Sequence, residues 1–288
     1  MTDSPVQFDT VAILGVGLIG GSLGQALKAR RLTHRVIGIG RSRERLDQAI
    51  ALGAIDHGVT DLVEGIADAD LVVLCTTVSH ILESLPSALH EAAPHAIVTD
   101  VGSTKGEIVR RAAGHPQFIG CHPMAGSERT GVEAATPLLF QDATWALTPV
   151  ETTDPAVVVR VRALAQEIGA RTLIIPPEAH DAMVAVTSHL PHVLAAALMR
   201  QAAEARTPHP EIVRLSAGSF ADMTRVAAAD PAIWRDICLS NRDAILDALR
   251  KCRVQLDDLE AAVADADADA LTSFFEESVM AKRDWSSL

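Results

Sequence analysis

The chain has 288 residues, long enough for two ordinary domains. Hydrophobic residues make up 48% and charged residues 22%, which excludes a disordered chain. The formal net charge of −12 argues against a broad nucleic-acid footprint.

The N-terminus, MTDSPVQFDT, is acidic and has no apolar signal core. No membrane partner is expected, because the most apolar late stretch, Met183 to Met199, is broken by His189, Pro191 and His192. Cys75, Cys121, Cys238 and Cys252 form no CxxC pair, which fits reduced thiols in a cytoplasmic protein.

In chain order, β-branched runs predict strands at Thr10–Leu14, Arg35–Ile39, Asp70–Cys75, Ala96–Asp100 and Phe118–Cys121. Amphipathic stretches predict helices at Ser22–Arg30, Arg43–Leu52, Ser79–Glu91 and Thr104–Ala113. Two more strands, Trp145–Thr148 and Thr172–Ile175, flank a helix from Pro155 to Ile168. The alternation implies an α/β, doubly wound, mostly parallel sheet of Rossmann type. At Pro176-Pro177 the pattern becomes purely helical. The expected division is residues 1–176 for dinucleotide binding and 177–288 for an all-helical substrate domain. The Ala/Asp tract from Ala261 to Ala270 reads as a solvated helix face or a helix–helix turn.

Gly15-Val16-Gly17-Leu18-Ile19-Gly20 follows the first strand and opens a helix. The first glycine serves the tight turn, the second lets a pyrophosphate approach, and the third lets the helix pack on the strand. Gly15, Gly17, Leu18, Ile19 and Gly20 are therefore candidate cofactor residues. The second strand ends at Gly40 with no carboxylate, followed by Arg41, Ser42 and Arg43. Two guanidinium groups there suit a 2′-phosphate, so NADP is expected over NAD. The competing reading makes the arginines solvated and Ser42 a helix cap.

Three further segments carry polar residues that a plain core does not require. Ser103, in Asp100–Gly106, follows a strand and either caps the next helix or offers its hydroxyl to a substrate. His122 stands at another strand end on the same rim, where an imidazole is a natural general base. Ser188, His189 and His192 fall at spacings that share a helix face. No third ligand joins this HxxH, so no metal is expected. Arg225 is a candidate carboxylate clamp.

The blocks GVGLIGGS, DVGSTKG, CHPMAGSERTGVEAA, VTSHLPH and DMTRVAAADPAIWRD occur in this order. Together they resemble the prephenate/arogenate dehydrogenase family of tyrosine biosynthesis across nearly the whole chain. The resemblance implies oxidative decarboxylation of prephenate or arogenate with a nicotinamide cofactor. It also implies a homodimer formed through the helical domain. It makes His122 the catalytic histidine and Ser103 a serine hydrogen-bonded near it. His192 becomes a substrate-side histidine with Ser188 nearby, and Arg225 the grip on a substrate carboxylate. Glu128 falls where the family places a gating or orienting polar group, and Gly218 and Trp234 line the pocket. No ACT regulatory domain and no chorismate mutase segment are expected, so any tyrosine feedback would act at the active site.

Two rival readings are a β-hydroxyacid dehydrogenase or imine reductase, and a non-enzymatic NADP-sensing module. The first needs a lysine or aspartate in place of His122, yet the helical half has only Lys251 and Lys282, both late. The second leaves His122, His192 and Arg225 without a shared task.

Overall fold

A computed structural model describes residues 8–126 and 129–286. Elements alternate through the first part of the chain. They are β1 (Phe8–Leu14), α1 (Leu18–Ala29), β2 (Thr33–Ile39), α2 (Arg43–Ala51), β3 (His57–Val59), α3 (Leu62–Ile66) and β4 (Leu71–Leu74). There follow α4 (Val78–Glu91), β5 (Ile97–Asp100), α5 (Gly106–Arg111), β6 (Phe118–Pro123), β7 (Thr144–Thr148), α6 (Pro155–Glu167) and β8 (Arg171–Ile174). The eight strands form one sheet in the order β3-β2-β1-β4-β5-β6-β7-β8. Every pairing is parallel except β6 with β7. The strand order reverses beside β1, between β1 and β4, which is where doubly wound sheets open a crevice for ligands.

Period-2 alternation divides the core between the two faces of the sheet. Val11 and Ile13 of β1 join Leu23 and Leu27 of α1 on one face. Ala12 joins Val72 of β4 and Ile81 and Leu85 of α4 on the other. Helix starts are chemically marked. Ser42 accepts from the Arg45 N–H, Asp61 from Glu64, and Asp154 from Ala156 with Pro155 in the first turn.

All seven expected strands form. The sequence reading missed β3 and α3, which at three and five residues are too short for a periodic signal. Helix α1 begins four residues earlier than expected, at Leu18, so the glycine run supplies its first turn.

After Pro176 every described element is helical. They are α7 (Pro177–Val184), a π turn over Ala185–His189, α8 (Leu190–Ala205), α9 (Ile212–Leu215) and α10 (Gly218–Thr224). A 3-10 turn over Arg225–Ala228 precedes α11 (Pro231–Ser240), α12 (Arg242–Ala264) and α13 (Ala268–Ser286). By compactness the chain divides into residues 1–242 and 243–288. The second unit is α12 and α13 joined by a tight turn inside the Ala/Asp tract. There Ala266 takes φ +52° and Asp267 accepts from the N–H groups of Asp269 and Ala270.

His189, Pro191 and His192, expected to break the apolar stretch, do not end the helix or keep it from the length and composition of a spanning one. Residues Pro177–Ala205 form one helix whose most apolar window has a mean hydropathy of 1.5, sufficient by length and composition to cross a membrane. Only 28% of that window is buried within the chain. The π turn shifts the hydrogen-bond register just before Pro191, and a proline that lacks an N–H is tolerated there.

Candidate active site

The glycine turn shows three separate constraints. Gly15 has φ +94°, and a Cβ there would lie 2.8 Å from the Cys75 carbonyl oxygen. A Cβ on Gly20 would fall 2.2 Å from the Gly15 carbonyl oxygen, so this residue lets α1 rest on the turn. A Cβ on Gly17 would meet nothing within 4 Å. That open space lies at the start of α1, whose Gly17 cap supplies no side-chain hydrogen bond, so the first N–H groups can serve an anion. Leu18 and Ile19 form the first turn of this helix. Thr76, just past β4, packs against the same turn, and its buried hydroxyl has no partner among the described residues. The chain's own residues thus fit a dinucleotide and leave it one polar atom to satisfy. In the sequence Thr76 reads as ordinary loop.

Beyond β2, Gly40 and Arg41 line an open cleft of about 190 Å³ with Leu14, Ile39, Thr60 and His80. The two arginines differ. Arg43 donates to the Gly58 carbonyl at 2.5 Å and lies 3.8 Å from Asp47, which ties it to β3 and its own helix. Ser42 caps α2 at 3.3 Å. Arg41 is exposed and faces the cleft. Of the two arginines of the expected clamp, only Arg41 lines the cleft.

His122 lies on β6 opposite Ala146 of β7. Its Nδ1 is 2.9 Å from Nε2 of His180, and Nδ1 of His180 is 2.9 Å from Oδ1 of Asp181. Asp181 also accepts the N–H groups of Lys105 at 2.7 Å and Gly106 at 2.8 Å, which caps α5 from a different part of the chain. Ser103 therefore does not cap that helix, and no hydrogen bond joins its hydroxyl to His122 among the described residues. Beneath lies a fully buried pair, the Lys105 ammonium on Oδ2 of Asp100. Asp100 accepts the Gly102 N–H at 2.8 Å and the Cys121 N–H at 3.2 Å. This knot ties the β5–α5 loop to the strand that carries His122.

Asn241 extends the network. Its Nδ2 donates to the Asp181 carbonyl at 2.8 Å and lies 3.2 Å from Nδ1 of His189. His189 meets the Trp234 ring edge-on with centroids 6.0 Å apart, and His192 stacks on Trp234 with centroids 3.4 Å apart. The HxxH spacing therefore does place both imidazoles on one face, where they meet an indole. Ser188 is half-buried in the π turn and makes no hydrogen bond through its hydroxyl among the described residues. Gly218 opens α10, and Arg225 opens the 3-10 turn. Both segments pack against α8, the helix of His192. Asp230, within the DMTRVAAADPAIWRD block, is a plain helix cap that accepts the Ala232 N–H at 2.8 Å. Glu128 lies outside the described residues.

Burial pushes His122 well below the ordinary imidazole value, and the neighbouring His180, Lys105 and His189 act in the same direction. His189 is pushed down to about 4, chiefly by burial. Burial of Asp181 opposes ionisation, but hydrogen bonds from His180, Gly106 and Lys105 overcome it and hold the carboxyl below its usual range.

These shifts give stability a pH dependence. In the unfolded chain the two imidazoles protonate near pH 6.5. In the folded chain they stay neutral to lower pH, so across that window the unfolded state binds more protons. Stability is therefore expected to fall as pH falls from about 6.5 to 4, with His189 contributing on the order of 3 kcal/mol. Urea midpoints across this range test it, and a flat midpoint would contradict the neutral buried histidines.

A mostly parallel sheet with a glycine turn at its switch point, and a half-buried imidazole hydrogen-bonded to a histidine of the helical half, define a nicotinamide-nucleotide-binding dehydrogenase with a small-molecule substrate. Two family models match: "Prephenate dehydrogenase, nucleotide-binding domain" over residues 23–174 and "Prephenate dehydrogenase, dimerization domain" over residues 176–277. The chain is 38% identical over 273 residues to the prephenate dehydrogenase of Bacillus subtilis, covering 93% of this chain and 74% of that one. It is 36% identical over 285 residues to the cyclohexadienyl dehydrogenase of Zymomonas mobilis, covering 96% and 95%. Among solved structures, prephenate dehydrogenase from A. aeolicus in complex with hydroxyphenyl propionate and NAD+ superposes with a TM-score of 0.90. The identity is 29%, over 98% of this chain and 99% of that one. The Synechocystis arogenate dehydrogenase superposes with a TM-score of 0.80 at 29% identity, over 96% and 99%. The chain belongs to the prephenate dehydrogenase family, and its chemistry is the oxidative decarboxylation of tyrosine biosynthesis.

Proposed function

We propose that this chain oxidises prephenate, with arogenate as an alternative substrate, using NADP+ in preference to NAD+, and that His122 is the general base. The observation that carries the reading is a neutral, half-buried imidazole on the sheet rim, joined by hydrogen bonds and ring contacts to the histidines of the helical half. Residues 1–176 hold the dinucleotide, and residues 177–288 supply the substrate side and the homodimer contact. The apolar surface of the Pro177–Ala205 helix suits a second copy of the chain, in keeping with the dimerization-domain match. Four free cysteines suit a reducing cytoplasm.

His122 takes the proton of the ring hydroxyl as the carbon bearing it is oxidised. A bound nicotinamide would supply the acceptor for the hydride leaving that carbon. The ring carboxylate then leaves as CO2 and its electron pair completes the aromatic ring. His122 returns its proton to the phenolic oxygen, so atoms and charge balance. Arg225 holds a substrate carboxylate by paired donors, while His192, kept in place by Trp234, orients the other end with Ser188 and Gly218. Ser103, in the loop after β5, offers its hydroxyl to the substrate, and Glu128 gates or orients the substrate. Gly15, Gly17 and Gly20 give the pyrophosphate its approach. Arg41 meets the 2′-phosphate, for which no carboxylate at Gly40 competes.

The test is a steady-state comparison with prephenate, arogenate and a 3-hydroxy acid, each with NADP+ and NAD+, following reduced nicotinamide and CO2. Turnover with CO2 release is expected for the first two alone. Arg41→Ala is expected to raise KM for NADP+ about tenfold and leave NAD+ unaffected, the effect of losing one charge-assisted contact. Equal kcat/KM for the two cofactors in the unaltered protein would defeat the NADP assignment.

A further inference from the structure

We infer that His180 and Asp181 are positioning residues that set the tautomer of His122, placing its proton on Nδ1 and leaving the lone pair on Nε2. The inference rests on the reading of His122 as base and adds how that base is kept ready.

The argument is one of donors and acceptors. Both oxygens of Asp181 already accept backbone N–H groups, Lys105 on Oδ1 and Gly106 on Oδ2. An ionised carboxylate can only accept. The 2.9 Å contact from Nδ1 of His180 to Oδ1 must therefore carry its proton on His180. A neutral His180 with its proton on Nδ1 has a lone pair on Nε2. That nitrogen is 2.9 Å from Nδ1 of His122, so the proton between them belongs to His122. In a neutral His122 the lone pair is then on Nε2, the nitrogen turned away from this chain of bonds.

The alternative polarity needs a cationic His180, protonated on both nitrogens, donating to His122. His180 is only 3% exposed. The charged and titratable groups around the pair are Asp181 on α7, His189 on the π turn, and Lys105 with Asp100 on the β5–α5 loop. The Asp100 carboxylate is already held by the Lys105 ammonium, and Asp181 is spread over three donors. A second buried cation beside Lys105 gains little from either. When His122 takes a proton on Nε2 it becomes an imidazolium whose Nδ1–H still donates to His180, with Asp181 behind. Charge is dispersed along the chain and no other proton has to move. The pair lies 58 residues from His122 in sequence, within the plain helix start EAHDAM.

The full-length protein labelled with 15N-histidine tests this, as the unaltered chain, His180→Leu and His180→Gln. In the unaltered protein at neutral pH, the His122 resonance is expected to show the unprotonated nitrogen at Nε2. Leucine leaves Nδ1–H without an acceptor. The ring then shifts to the other tautomer, and kcat falls by about 10²- to 10⁴-fold at nearly constant KM, as when the orienting partner of a catalytic histidine is removed. Glutamine can accept from His122 through its carbonyl and donate to Asp181 through its amide. It is expected to keep the tautomer and recover at least about tenfold of the lost turnover. A proton found on Nε2 in the unaltered protein overturns the inference. So does equal loss in the leucine and glutamine variants with no change of tautomer. If His180→Leu does not fold, the tautomer of the unaltered protein and the glutamine variant still decide. Absence of turnover with prephenate and arogenate would sink the functional reading instead, and the tautomer would remain measurable without substrate.

Discussion

Replacing His122 with asparagine is expected to lower kcat by about 10²- to 10⁴-fold and leave KM for both substrates nearly unchanged. The amide cannot take a proton, so what is lost is a transition-state role. Ground-state contacts with substrate are few from a half-buried side chain already bonded to His180. Dinucleotide binding, measured by fluorescence quenching, is expected to stay intact because the glycine turn is built from β1, α1 and Thr76. The acid limb of kcat/KM in the unaltered enzyme is expected below the ordinary imidazole value. Burial, with the Lys105 ammonium nearby, holds His122 neutral, so the base form persists as pH falls. Turnover close to that of the unaltered protein in the asparagine variant would remove His122 from the mechanism.

Lys105→Met is expected to cost about 3–5 kcal/mol of stability, the usual result of stripping one partner from a buried ion pair. Both side chains are fully buried. Burial pushes the Asp100 carboxyl up, and the Lys105 ammonium with the N–H groups of Gly102 and Cys121 opposes that push. Without the ammonium the carboxylate is left with two backbone donors and no countercharge. The double variant Asp100→Asn/Lys105→Met is expected to recover part of the loss, because it removes the buried charge while the amide oxygen still accepts one of those two N–H groups. Denaturant midpoints at constant m-value measure both. A single variant within about 1 kcal/mol of the unaltered protein would show that water reaches Asp100.

Much of the architecture is legible along the chain because its signals are local. Apolar runs of four or more residues containing β-branched side chains mark seven of the eight strands, and β3 escapes because three residues carry no period. The glycine turn is legible because its three constraints fall within six consecutive residues. The DPA segments at Asp154 and Asp230 announce helix starts, and both are caps.

Other features depend on distant partners. Arg41 and Arg43 look alike in sequence, yet Arg43 is taken up by the Gly58 carbonyl of β3 and only Arg41 faces the cleft. Ser103 looks like a helix cap, but α5 is capped by Asp181, 76 residues beyond Lys105. Pro191 looks like a break, and a π turn absorbs it.

The fold class and the rim position of His122 are written in contiguous residues, because pleat, helical period and backbone sterics act over a few bonds. Which nitrogen of that imidazole holds its proton is a different kind of property. It depends on a hydrogen bond from a strand residue to a ring on α7, itself polarised by a neighbouring carboxylate that caps α5. Hydrogen bonding is directional and indifferent to sequence distance, so that chain exists only once the elements are packed.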